Sequence, residues 1–182
     1  MDDARMDPCR MKPAIIWLTG LSGAGKSATA EALRDLLAAR GHRATILDGD
    51  ELRQGLSRDL GFGDAARIEN IRRAAEVARI LARADIVTIV SLISPFRKER
   101  AQARAIAGEI PFLEVYVDAP LAVCEERDPK GLYRRARAGL IPNFTGIDSA
   151  YEAPLEPDLH LHTDAGTPQD GAARVAAALG NL

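Results

Sequence analysis

Residues 14–27 read AIIWLTGLSGAGKS, from Ala14 to Ser27, and the fold is decided there. An apolar run at 14–19 leads directly into Gly20, Leu21, Ser22, Gly23, Ala24, Gly25, Lys26 and Ser27, a complete G-x-x-x-x-G-K-[ST]. Residues 27–40 then place Leu33, Leu36 and Leu37 on one helical face, and Gly41 supplies a helix stop. Strand, glycine-rich loop and helix in that order form a phosphate-binding P-loop. The glycines let backbone N–H groups wrap a triphosphate, and the helix N-terminus adds its positive end. Lys26 is expected to reach the β and γ phosphates and Ser27 to offer its hydroxyl to Mg²⁺. The eight residues from Gly20 to Ser27 are therefore the expected ATP site.

The same alternation continues outward. Strands are expected at 44–48, 86–93, 112–117 and 159–162, and helices at 51–57, 65–83, 97–107, 121–127 and 169–179. Short apolar runs alternating with helical patterns predict βα units around a parallel sheet. The expected fold class is α/β with a lid, and the resemblance to P-loop kinases implies a three-layer P-loop NTPase fold with a five-stranded parallel sheet flanked by helices. Residues 128–157 lack a period and are rich in proline and glycine, so they are read as that lid. Residues 1–13 are polar and aperiodic and are read as a disordered leader, leaving 14–182 as one domain.

Composition narrows the function. Twenty-four Lys and Arg against 26 Asp and Glu give a net charge of −2, unlike the basic footprint of a nucleic-acid binder. No apolar run reaches the roughly 18–20 residues of a membrane span. Two cysteines, Cys9 and Cys124, argue for a reduced compartment and against a disulfide framework or zinc site. A soluble cytoplasmic protein without nucleic-acid or membrane partners is expected. His42, His160 and His162 look scattered, with no metal-ligand spacing, and Cys124 is read as a packing residue. The chain has 32 alanines but only 4% aromatics, so rings outside evident strands and helices need a reason other than core filling. Phe62, Phe96, Tyr133 and Phe144 are those rings.

Several chemistry-bearing residues fall at the carboxyl ends of the expected strands, where open α/β sheets bind ligands. Asp48 and Asp50 end the second strand. Either could serve as a helix cap, and Asp50 is the stronger candidate to take a proton from an attacking hydroxyl. Ser94 ends the third strand; with no activating base evident nearby, it reads as a binding hydroxyl. Phe62, between Gly61 and Gly63, and Phe144, on the lid, are placed to stack on a planar base. Lys130, Arg134, Arg135 and Arg137 put positive charge on the lid, where closure would bring it onto phosphate oxygens.

Taken together, these residues resemble the adenylylsulfate kinase family between about Ile15 and Thr163. The resemblance rests on GLSGAGKS (20–27), LDGD followed by Arg53, DLGF (59–62), RIENIRR (67–73), ISP (93–95), VDAPL (117–121), CEERDPKGLYRRARAG (124–139) and FTGIDSAYEAP (144–154). It implies transfer of the γ-phosphoryl of ATP, with Mg²⁺, to the 3′-hydroxyl of adenosine 5′-phosphosulfate, giving 3′-phosphoadenylylsulfate and ADP in sulfate assimilation. It further implies a substrate site of Asp50, Arg53, Phe62, Arg67, Asn70, Ile93, Ser94, Lys130 and Phe144, with Phe62 and Phe144 sandwiching the adenine, and a catalytic set of Lys26, Asp50 and Ser94.

In the family Ser94 is traditionally described as a phosphoserine. Direct in-line transfer with Asp50 as base needs no activator for that serine. A sheet order of 2-3-1-4-5, a homodimer and a complex with sulfate adenylyltransferase are also implied. The chain departs from the family pattern at Glu51 and Gln54, which stand for Asn and His, at Ala66 for Asp, and at Phe96 for Tyr. A regulatory nucleotide-binding module and a P-loop kinase for another small metabolite are the competing readings.

Overall fold

The computed structural model describes residues 12–180; most of the leader, with Cys9, lies outside the described residues. Five strands, β1 (Ile15–Thr19), β2 (Ala44–Asp48), β3 (Val87–Ser91), β4 (Phe112–Asp118) and β5 (Leu159–His162), form one parallel sheet of order β2-β3-β1-β4-β5. This is the expected class and order. β1 and β3 are buried at every residue, because helices cover both faces of a parallel sheet and continuous apolar runs satisfy both.

On one face lie α1 (Lys26–Ala39), α5 (Leu121–Arg127) and α7 (Pro168–Leu179), and their core includes Leu33, Leu37, Val115, Val117 and Val175. On the other lie α3 (Asp64–Arg83) and α4 (Arg97–Ala107), which pack Ala74, Ala78 and Ala103 around Trp17 and Phe112. Small side chains let these helices approach the sheet closely. No helix among the described residues is long and apolar enough to cross a membrane.

The structure corrects several local expectations. The short helix after β2 is α2 (Gly49–Gln54), two residues earlier than expected, because Asp48 Oδ1 accepts from the Asp50 backbone N–H at 2.9 Å and caps it. Asp48 is thus the cap, and the Asp50 side chain is left for other work. β3 stops at Ser91 instead of 93, since the chain turns and Ser94 adopts a φ of 45°. The stretch 128–157 is not patternless: it contains α6 (Leu132–Arg137). Tyr133 and Phe144 from this stretch are buried and meet edge to face, with ring centroids 5.0 Å apart. Both rings do fill core, contrary to the sequence expectation for them.

Candidate active site

Gly20 leaves β1 at a φ of 151°, and a Cβ there would lie 2.1 Å from the Val117 carbonyl oxygen, so only glycine fits this start to the loop. Gly25 (φ 96°) then precedes the first turn of α1, which has no capping side chain. Its backbone N–H groups are left for an anion. Lys26 is buried beneath the loop and donates to the carbonyls of Gly20 at 2.9 Å and Leu21 at 2.7 Å. Burial lowers its pKa to about 8.

The loop opens onto a cavity of about 1150 Å³ at the carboxyl ends of β1, β2 and β3. That exceeds the roughly 300–1,000 Å³ of a site for one drug-sized ligand. Ser27 Oγ donates to Asp48 Oδ2 at 2.9 Å and lies 3.4 Å from Ser91 Oγ, forming a small group of hard oxygen donors beside Lys26. Asp50 pairs with Lys130, which bridges the strand edge to the 128–157 segment.

Arg53, Phe62, Arg67, Asn70, Ile93, Ser94 and Phe144 are also part of its lining, Ile93 beside the P-loop, where its carbonyl accepts from the Gly20 N–H. The structure therefore brings the expected acceptor-site residues and Ser22, Gly23, Gly25, Lys26 and Ser27 of the loop to this one cavity, while Gly20, Leu21 and the buried Ala24 are not part of its lining. Phe62 is 63% exposed, with the Arg53 guanidinium 4.6 Å from its ring centre. Arg53 donates to the Gly61 carbonyl at 2.7 Å, and Arg67 to that of Phe62 at 2.8 Å, so the two arginines shape the loop that presents the ring. Arg67 also bonds Thr145 and the Asn143 carbonyl on the opposite segment. Burial lowers the pKa of both guanidiniums, and at Arg53 the nearby Arg67 adds to the lowering.

Asn70 is buried with its Oδ1 lacking a partner. Ser94 is buried, and its Oγ accepts from the Trp17 indole N–H at 3.0 Å. No carboxylate or imidazole among the described residues hydrogen-bonds that hydroxyl.

The four cations of residues 128–157 that the sequence singled out separate. Lys130 and Arg135 line the cavity, whereas Arg137 turns away to pair with Glu125 at 2.6 Å. Arg134 does not line the cavity. Sequence reasoning missed Arg127, Thr163 and Arg174, which complete the wall around the P-loop. The Thr163 hydroxyl donates to the Ala24 carbonyl at 2.7 Å, and Arg127 donates to the Gly23 and Thr163 carbonyls. Thr163 directly follows the last strand, which was the available signal.

A P-loop at the end of the first strand of a 2-3-1-4-5 parallel sheet, with a basic segment bridging the cavity mouth, defines a P-loop kinase fold. The adenylylsulphate kinase family model matches residues 12–162, and the chain belongs to that family. It is 59% identical over 165 residues to an adenylyl-sulfate kinase of Aeromonas hydrophila, covering 91% of this chain and 83% of the relative. It is also 56% identical over 168 residues to a bifunctional enzyme CysN/CysC of Xylella fastidiosa, covering 92% of this chain but 27% of that protein. The solved structure of the Mycobacterium tuberculosis APS kinase CysC in complex with AMPPNP and APS superposes with a TM-score of 0.90 at 46% identity, covering 93% of this chain and 99% of that one.

Proposed function

We propose that this chain is an adenylylsulfate kinase that transfers the γ-phosphoryl of ATP to the 3′-hydroxyl of adenosine 5′-phosphosulfate, releasing 3′-phosphoadenylylsulfate and ADP. One observation carries the reading: in a member of this family, a single cavity joins an intact P-loop to a set of arginines, an exposed ring and a buried amide whose oxygen lacks a partner.

Gly20 to Ser27 hold the ATP phosphates. Lys26 exchanges the carbonyls of its own loop for phosphate oxygens as ATP binds. The oxygens of Ser27 and Asp48 fit Mg²⁺, a hard cation carried in with the nucleotide. Mg²⁺ there neutralises charge on the β and γ phosphates. On the opposite wall, Arg53, Arg67 and Lys130 receive the acidic groups of the acceptor, Asn70 and Ile93 help seat it, and Phe62 stacks its adenine against Phe144.

Asp50 takes the proton from the 3′-hydroxyl. Its partner Lys130 rides on the lid, so a shift of the lid frees the carboxylate for that step. Ser94 positions the acceptor; its burial and its bond to Trp17 support direct transfer rather than a phosphoenzyme. A homodimer working in the cytoplasm completes the reading. The bifunctional relative supports a partnership with sulfate adenylyltransferase.

The test is purified protein with Mg-ATP and adenosine 5′-phosphosulfate, followed by detection of the 3′-phosphorylated product. Turnover is expected, with Asp50→Asn lowering kcat by about 10²–10⁴-fold and Ser94→Ala by much less. Absence of turnover in the unaltered chain rejects the activity. Equal losses in the two variants reject direct transfer with Asp50 as base.

A further inference from the structure

The geometry points to a transition-metal site on the β4–β5 edge, formed by Asp118, His160 and His162. The sequence reading of these histidines as scattered is corrected here. A His-x-His spacing on a strand puts both rings on one face, and parallel pairing sets His162 opposite Asp118 and His160 opposite Tyr116. One ligand atom from each of Asp118, His160 and His162 lies within 4.8 Å of the others. Asp118 Oδ2 is 2.9 Å from His160 Nε2 and 3.7 Å from His162 Nδ1. Zinc bonds of about 2.0–2.2 Å in a tetrahedron separate neighbouring ligand atoms by about 3.3–3.6 Å, so a small readjustment of the side chains accommodates the ion.

The surroundings favour a cation. The Tyr116 hydroxyl donates to Asp118 Oδ1 at 3.0 Å, which orients the carboxylate and leaves Oδ2 to the two imidazoles. Tyr116 also stacks on His160 with centroids 4.7 Å apart, holding that ring in place. Among the described residues, the side chains within 4.0 Å of Asp118 that could pair with it are these two histidines, and no Lys or Arg neutralises it. The His162 side chain is 65% exposed, so the site is open to solvent and keeps a coordination position for water.

Two imidazoles and one carboxylate select a borderline ion such as Zn²⁺ over Mg²⁺. Bound there, the ion clips the four-residue edge strand β5 to β4. Its ligand His162 directly precedes Thr163, whose backbone N–H donates to the Asp118 carbonyl at 2.9 Å and whose hydroxyl donates to the Ala24 carbonyl of the P-loop at 2.7 Å.

The experiment is a titration of the tag-free, chelator-treated chain with Co²⁺. The expected result is one equivalent bound, with visible ligand-field absorption that Zn²⁺ abolishes and excess Mg²⁺ does not. His160→Ala and His162→Ala should each weaken binding at least about 10-fold, and Tyr116→Phe should keep the spectrum at about 10-fold lower affinity. Zn²⁺ should raise the Tm of the unaltered chain and leave that of the double histidine variant unchanged. Failure of the unaltered chain to bind a stoichiometric equivalent overturns the site whatever the variants do. An undiminished spectrum in the double variant places binding elsewhere and overturns it equally.

Discussion

Lys26 shows how one side chain reports on its ligand before the ligand arrives. Its ammonium is buried and held by two carbonyls of its own loop, neutral acceptors that do not offset the loss of water, so its pKa falls from 10.5 to about 8. Below about pH 8 both folded and unfolded chains carry this proton, and the full cost of burying the charge is felt. Between about 8 and 10.5 the folded chain has shed a proton that the unfolded chain keeps, so this group's contribution to stability rises with pH. Triphosphate oxygens favour the charged form, and ATP binding at pH 8 should therefore take up roughly half a proton at Lys26. Calorimetry in two buffers of different ionisation enthalpy measures that uptake; Lys26→Arg, always charged, should abolish it. Uptake that persists in the arginine variant assigns the proton to another group. The two phenylalanines part company for a similar reason of environment. Phe144 is 7% exposed and fills core, so Phe144→Ala should cost about 3–5 kcal/mol of stability in denaturant unfolding as well as weakening the acceptor. Phe62→Ala, at an exposed ring, should leave stability within about 0.5 kcal/mol and raise the KM for the acceptor.

Among the elements, α4 is joined to a strand and to two loops through Arg100. Arg100 is 2% exposed and donates at 2.7 Å to each of three acceptors: Glu114 Oε1 on β4, the Ser94 carbonyl and the Glu152 carbonyl. It thereby joins the helix, the strained turn at Ser94 and the end of the 128–157 segment. Arg100→Met leaves Glu114 without its closest partner and should cost about 3–5 kcal/mol in urea unfolding. Arg100→Lys keeps the charge but not the three-way fork and should recover little of it; full recovery by lysine shows that charge alone matters. Such a link spans 52 residues to Glu152 and no local pattern announces it. Elements that carry a long period, such as α3, and the continuous apolar runs of β1 and β3 are legible because burial along the whole element writes the pattern. α6 is not, since in six residues only Tyr133 and Ala136 are buried and no period can develop. The site divides in the same way: the P-loop is contiguous and readable, the acceptor wall became readable through its resemblance to a family, and the pairing of Asp118 with His160, 42 residues apart, needs the sheet register to appear.

At the scale of the whole molecule, the two core layers meet the cavity from opposite faces of the sheet, and residues 128–157 span the gap between them. This segment is not uniformly free. Tyr133, Ala136 and Phe144 are sunk into the α1–α7 side. The turn after Asn143 is closed on itself, with Asp148 accepting from the backbone N–H groups of Asn143 and Phe144. Those bonds hold the Asp148 carboxyl below its ordinary range. At the far end, the Glu152 backbone N–H reaches the Pro95 carbonyl at 2.7 Å. Between these anchors lie residues 138–143, with Leu140 67% exposed and the chain held to the opposite wall by polar ties from Arg67. Polar ties of this kind can be exchanged for bonds to an acidic ligand at little cost, while buried rings cannot be withdrawn without opening a cavity. Closure on substrates should therefore be a local event. In hydrogen exchange with a non-hydrolysable ATP analogue and adenosine 5′-phosphosulfate together, protection should rise most at 138–143 and across the Phe62 loop at 61–67. Residues 132–137 and 144–149 should change little, because they are already packed before the ligands bind. An equal slowing across all of 128–157 would mean instead that the segment swings as one body and that its buried rings leave the core in the open state.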